Sequence, residues 1–141
     1  MTGQERSSAL VRWGAVCVDC GNADELALFY SKLLGWEIGA RNTEDPDGDG
    51  EAGWVELRNP PGTMGLCFQG EDDYEPPVWP EQPGLQAKMI HFEMGVIDLE
   101  AAVLLAVEAG ATVAPYQAAD RDQNELRVML DPAGHPFCLC A

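Results

Sequence analysis

The feature that most constrains this chain is an internal repeat: the same order of strand, helix and three further strands reads twice along 141 residues. In the first half, Val11 to Val18 is a β-rich run. Asn22 then offers a helix cap, with Glu25 three residues on. Leu26, Phe29, Tyr30, Leu33 and Leu34 recur at one-face helical spacing, and Gly35 marks the stop. Strands are expected from Trp36, over Trp54–Arg58 and over Met64–Gln69, the last two joined by the turn Asn59-Pro-Pro-Gly62. The second half repeats the order. Met89–Met94 reads as a strand, Asp98 as a cap, and Leu99, Ala102, Val103, Ala106 and Val107 as a helix face. Gly110 precedes Thr112–Ala114, and Leu126–Leu130 and Phe137–Cys140 flank the turn Asp131-Pro-Ala-Gly134. Neither half can bury both sides of its sheet alone, so the halves must pair.

This organisation predicts an α+β fold of two βαβββ modules that pair into an open, cup-shaped mixed sheet. The single domain covers residues 10–141, with module one at 11–69, a connector at 70–87 and module two at 88–141; residues 1–9 form a tail. A hydrophobic share of 46% supports a packed core of one ordinary domain. No apolar run reaches the length a membrane helix needs, and the first residues lack a signal-peptide stretch, which makes a cytoplasmic address the expectation. Five cysteines, an odd number, are expected as reduced thiols there.

Charge narrows the partners. The 24 acidic and 8 basic residues give a net charge of −16, which repels nucleic acid and anionic membranes and favours cations. Ten of the acids lie in 44–51 and 71–81, which points to acidic loops. Asp45 to Glu56 fits the spacing of a calcium-binding helix–loop–helix, but both flanks read as strands, so it is an acidic hairpin loop. Cys17 and Cys20 have CxxC spacing, yet on a strand residues three apart face opposite ways.

Three segments resemble the glyoxalase/bleomycin-resistance/dioxygenase superfamily, also called vicinal oxygen chelate proteins. Leu26-Ala-Leu-Phe-Tyr-Ser-Lys-Leu-Leu-Gly-Trp-Glu-Ile38 is similar to its first-helix signature, and His91 to Val103 to the start of its second module. Asp131-Pro-Ala-Gly-His-Pro-Phe-Cys-Leu139 resembles its closing turn and strand. The resemblance implies a ligand cup in each module and a homodimer. It also implies metal ligands on the first and last strands of each module. His91 stands at the second-module histidine position, but Ala15 or Val16 occupies its first-module counterpart and Cys138 replaces a glutamate. Only His91 and Gln69 remain as metal donors on this reading, so no metal is expected, and a divalent ion is the alternative.

His91 and Glu93 lie two apart on one strand and share a face, where Glu93 can orient the imidazole as a base or ligand contact. Together with Gln69, Trp13 and Trp79 they are the candidate ligand-binding residues, Trp79 as a lid. The leading expectation is metal-independent binding of a small organic, cationic ligand, as in the drug-sequestering branch. The alternative is a lyase, isomerase or dioxygenase using His91. A third is an acidic partner for a basic protein.

Overall fold

The computed structural model describes residues 10–44 and 50–141; Asp45–Asp49 of the acidic loop and the tail 1–9 lie outside them. The chain runs β1 (Val16–Cys20), α1 (Ala23–Leu34), β2 (Glu37–Thr43), β3 (Ala52–Arg58) and β4 (Leu66–Gly70). It continues with β5 (Phe92–Gly95), α2 (Leu99–Ala109), β6 (Thr112–Val113), β7 (Leu126–Leu130) and β8 (Pro136–Cys140). Two four-stranded mixed sheets result, ordered β1-β4-β3-β2 and β5-β8-β7-β6. In each, the first and last strands pair in parallel and the rest antiparallel. This is the expected pair of βαβββ modules. The acidic loop joins antiparallel β2 and β3, and Glu56 lies mid-strand, so strands rather than helices flank it.

The helix ends follow their capping residues. The Asn22 side chain accepts from the Glu25 amide at 3.0 Å and the Asp98 side chain from the Ala101 amide at 3.1 Å. Gly35 closes α1 in the left-handed region at φ 72°, where a side chain would be strained. Leu26, Phe29 and Tyr30 are buried, with Leu33 and Leu34 packed at the margin. In α2 the buried face is narrower than expected: Leu99, Val103 and Ala106 are inside, whereas Val107 is turned outward.

Both leading strands start later than the sequence suggests. Val11 and Trp13 precede β1, and Met89 and Ile90 precede β5; all four are exposed. The cause is the ladder partner. β4 begins at Leu66, just after a turn, and the first pair is Val16 with Leu66. β8 begins with Pro136, and the first pair is Phe92 with Phe137. Apolar residues upstream of those pairs have no neighbouring strand to bond, so propensity alone does not extend the sheet.

One continuous core spans both modules, with Phe29, Tyr30, Phe68, Phe137 and Leu139 at its centre. The Tyr30 ring stacks on Phe68 of module one at 5.5 Å and meets Phe92 and Phe137 of module two edge-on, at 5.7 and 6.3 Å. Its hydroxyl donates to Asp131 Oδ2 at 2.7 Å. Asp131 Oδ1 accepts from the amides of Ala133 and His135 at 2.9 and 3.0 Å. A buried carboxyl is tolerable because every lone pair used is matched by a donor from the turn or from the other module.

Two outcomes follow. Tyr30→Phe leaves the buried Asp131 short of one donor and should lower unfolding free energy by about 1–3 kcal/mol in denaturant titration. Burial raises the Asp131 carboxyl above its ordinary value, against the opposing pull of Tyr30 and His135. The folded chain therefore holds that proton more tightly than the unfolded chain. The group's stabilising contribution is complete below the ordinary value of 3.8 and is lost as pH rises through the raised one. Stability of the native chain minus that of Asp131→Asn should accordingly fall as pH rises from 4.

Candidate functional site

Alternation along the strands sorts their side chains. Val16, Val18 and Cys20 of β1 turn toward the helices, leaving Cys17 and Asp19 on the opposite face. On β5, Phe92 and Met94 pack inward and Glu93 faces out. The parallel registers then set Cys17 beside Cys67 and Asp19 beside Gln69 in module one, and Glu93 beside Cys138 in module two. The pair that follows the first core pair is thus Cys17–Cys67 in one module and Glu93–Cys138 in the other.

A cavity of about 580 Å³ opens at the seam between the modules. Its walls are β1, the connector, residues 86–92 leading into β5, and the β7–β8 turn. Tyr30 and Phe92 contribute apolar surface, and His91 borders it. Four carboxylates line the walls, Asp19, Glu71, Asp73 and Glu75, against a single lysine, Lys88. That lysine is already engaged: its ammonium lies 2.5 Å from Glu81 and 4.7 Å over the Trp79 ring. The cavity therefore presents net negative potential beside an apolar floor.

His135 is not the exposed turn residue that its position suggests. It is half-buried on the cavity wall, with Nε2 2.7 Å from the Asp19 carbonyl and 3.2 Å from the Tyr74 hydroxyl. Tyr74 in turn donates to the Ala133 carbonyl at 2.6 Å. Burial foremost, then the Asp131 charge, pushes the Tyr74 phenol well up, so it remains a donor. These contacts tie the connector and the second-module turn to the end of β1. No sequence signal marks Tyr74, because an irregular connector has no periodicity to read.

His91 Nε2 stands 3.5 Å from Glu93 Oε1, with the two side chains 36% and 65% exposed. Cys138 completes a group: one donor atom from each of His91, Glu93 and Cys138 lies within 4.8 Å of the others. Its thiol is half-buried and pushed up by burial, then by Cys140 and Glu93, against Lys88 and Arg121. Gln69 stands elsewhere, on β4 of the other sheet, where its amide donates to Glu71 at 2.6 Å. Trp13 is 70% exposed and lies off the cavity wall. Trp79 packs on Ala114, Leu126 and Val128 of module two and donates its indole N–H to the Tyr116 carbonyl at 3.0 Å. It thus covers part of the second sheet's outer face, together with Cys138 and Cys140.

Cys17 and Cys20 diverge as strand geometry requires, one exposed and one buried. Burial, then the hydrogen bond with Cys67, pushes the Cys17 thiol up to about 12, and burial pushes Cys20 up to about 11. Both are poor nucleophiles at neutral pH.

The donor chemistry of the module-two cluster suits a divalent ion. An imidazole, a carboxylate and a thiol supply three protein ligands, the number a zinc site uses when it keeps one position open. Bonds of about 2.0–2.2 Å to zinc give a tetrahedral nitrogen–oxygen edge of roughly 3.4 Å. The His91–Glu93 separation matches that edge.

Solved structures of similar fold agree with this architecture. The glyoxalase family protein from Enterococcus faecalis shares 22% identity over 94% of this chain and 98% of its own, with a TM-score of 0.60. A glyoxalase/bleomycin resistance protein/dioxygenase family enzyme from Burkholderia phytofirmans shares 20% over 89% and 94%, with a TM-score of 0.55. The trypanothione-dependent glyoxalase I of Leishmania major shares 16% over 92% and 86%, with a TM-score of 0.59. No curated protein sequence matches significantly. The model of the glyoxalase-like domain matches residues 15–140, from just before β1 to the end of β8, and the chain belongs to that family.

Proposed function

We propose that this protein binds a small cationic organic molecule in the cavity between its modules, a sequestering role of the bleomycin-resistance kind. The observation that carries this reading is the wall composition: four carboxylates and one already paired lysine around an apolar floor. A cation entering such a cleft is attracted by focused negative potential. An aromatic body covers the floor and displaces water from it. His91 and Tyr74 offer polar contacts on the wall.

A second reading is a metal-assisted lyase, isomerase or dioxygenase, and it draws on the His91–Glu93–Cys138 group. Those three residues would hold the ion, which when bound would polarise a ligand oxygen as a Lewis acid. His91 belongs to both the cluster and the cavity wall, so it would orient a ligand toward that group.

Thermal-shift and calorimetric titration should separate cationic from anionic aromatic probes of matched size. Cationic probes should raise the melting temperature and bind more weakly as salt rises. Asp73→Asn and Glu75→Gln should each weaken that binding by up to roughly fivefold, the size of an exposed ion pair. Equal binding of anionic probes, or none of either, would sink the proposal. Turnover of a bound ligand that needs added metal would favour the enzyme reading.

A further inference from the structure

The two modules share a register, but the pair that follows the first core pair is Glu93–Cys138 in one and Cys17–Cys67 in the other. Only module one therefore sets two thiols opposite each other on adjacent parallel strands. Leu66 and Phe68 pack in the core with the helices, so Cys67 shares the other face of the sheet with Cys17. Neighbouring strands lie about 4.8 Å apart, inside the roughly 4.4–6.8 Å between Cα atoms that a disulfide bridges. The side chains lean together as well. The Cys67 thiol reaches the Val16 carbonyl on β1 at 3.6 Å and shares a hydrogen bond with Cys17.

The other three thiols lack such a neighbour. Cys20 stands opposite Gly70, turned toward the helices, and its thiol donates to the Gln69 carbonyl at 3.4 Å. Cys138 and Cys140 alternate along β8, where their ladder partners are Glu93 and Gly95 on β5 and Val128 and Leu126 on β7. Exposure then divides the roles within the pair. Cys17 is exposed and lines the cavity, whereas Cys67 is buried. An oxidant from solvent meets Cys17 first, and the carboxylates Asp19, Glu71, Asp73 and Glu75 on that cavity favour a cationic one.

We infer that Cys17 and Cys67 form a redox site, which closes a reversible cross-strand disulfide by exchange with a low-molecular-weight disulfide. The Cys17 thiolate attacks one sulfur of the small disulfide, forming a mixed disulfide as the original S–S bond breaks and one small thiolate leaves. Cys67, as thiolate, then attacks the Cys17 sulfur and expels the second small thiolate. The two protein thiols are oxidised, the small disulfide is reduced to two thiols, and the two protons pass to the leaving groups. Burial and the shared hydrogen bond hold the proton on Cys17, so the first attack is slow at neutral pH. The bond ties β1, one wall of the cavity, to its neighbour β4. The inference rests on neither the cationic-ligand reading nor the metal reading.

Incubation of the full, reduced chain with cystamine, a small cationic disulfide, at mildly alkaline pH and with a chelator present tests it. Thiol labelling should show the loss of two of the five free thiols, with no cysteamine retained and a mass lower by two hydrogens. Fragmentation of the crosslinked peptides should place the bond between Cys17 and Cys67, and dithiothreitol should restore all five thiols. Cys20→Ser should leave the bond in place. Cys17→Ala, at an exposed position, should abolish it, and Cys67→Ser should trap one cysteamine on Cys17. Circular dichroism of each variant establishes that it folds. A bond from Cys67 to Cys20, a bond between two chains, or a folded native chain that keeps its thiols in excess cystamine would overturn the inference. So would a cysteamine adduct that persists on Cys17 of the native chain. Thiol state and peptide mass are the readouts, so failure here leaves the binding of cationic ligands untouched, and failure of those ligands leaves the redox site untouched.

Discussion

The hydrogen bond from Tyr30 to Asp131 is the contact around which the two modules are arranged. It links a helix of module one to the closing turn of module two within the buried core, at 2.7 Å. A carboxyl with almost no exposure is expensive to bury unless its oxygens are met by donors, and here the turn's own amides supply the rest. The bond thereby holds Asp131-Pro-Ala-Gly134 in the shape that starts β8 at Pro136, and the same turn aims His135 at the end of β1. The phenol ring that carries the hydroxyl stacks on Phe68 and meets Phe92 and Phe137 edge-on, so one side chain connects both sheets by dispersion as well as by a polar contact.

From that arrangement the cavity follows. With the helices packed between the sheets, the strand faces turned away from them are left for other use. The connector runs across those faces instead of forming a free linker: Tyr74 bonds to the second-module turn, and Trp79 settles on Ala114, Leu126 and Val128. Its acids Glu71, Asp73 and Glu75 then join Asp19 in lining the cavity. Four of the chain's 24 acids thus line this cleft, which is where the charge would bear on the proposed ligand.

His91 has two neighbourhoods. Toward Glu93 and Cys138 it belongs to a donor group on adjacent strands, and toward the connector it forms part of the cavity wall. The organic ligand and the ion of the two proposed readings would both touch this side chain.

Local chemistry in the chain already determines much of this. Asn22, Gly35, Asp98 and Gly110 set the helix ends because capping and left-handed backbone depend on single residues. The repeat of strand, helix and three strands is legible because periods of 2 and 3.6 are short-range properties. His91 and Glu93 were readable as a pair for the same reason. Neighbourhood across strands was not. Gln69 and Cys67 lie two apart on β4, and only the parallel register assigns Cys67, rather than Gln69, to the place that Cys138 holds in the second module. Trp13 has the composition of a pocket residue, yet β1 starts three residues later because β4 offers no partner before Leu66. Register, partner choice and the path of the connector arise from long-range pairing and burial, and a sequence states those only once the chain has closed on itself.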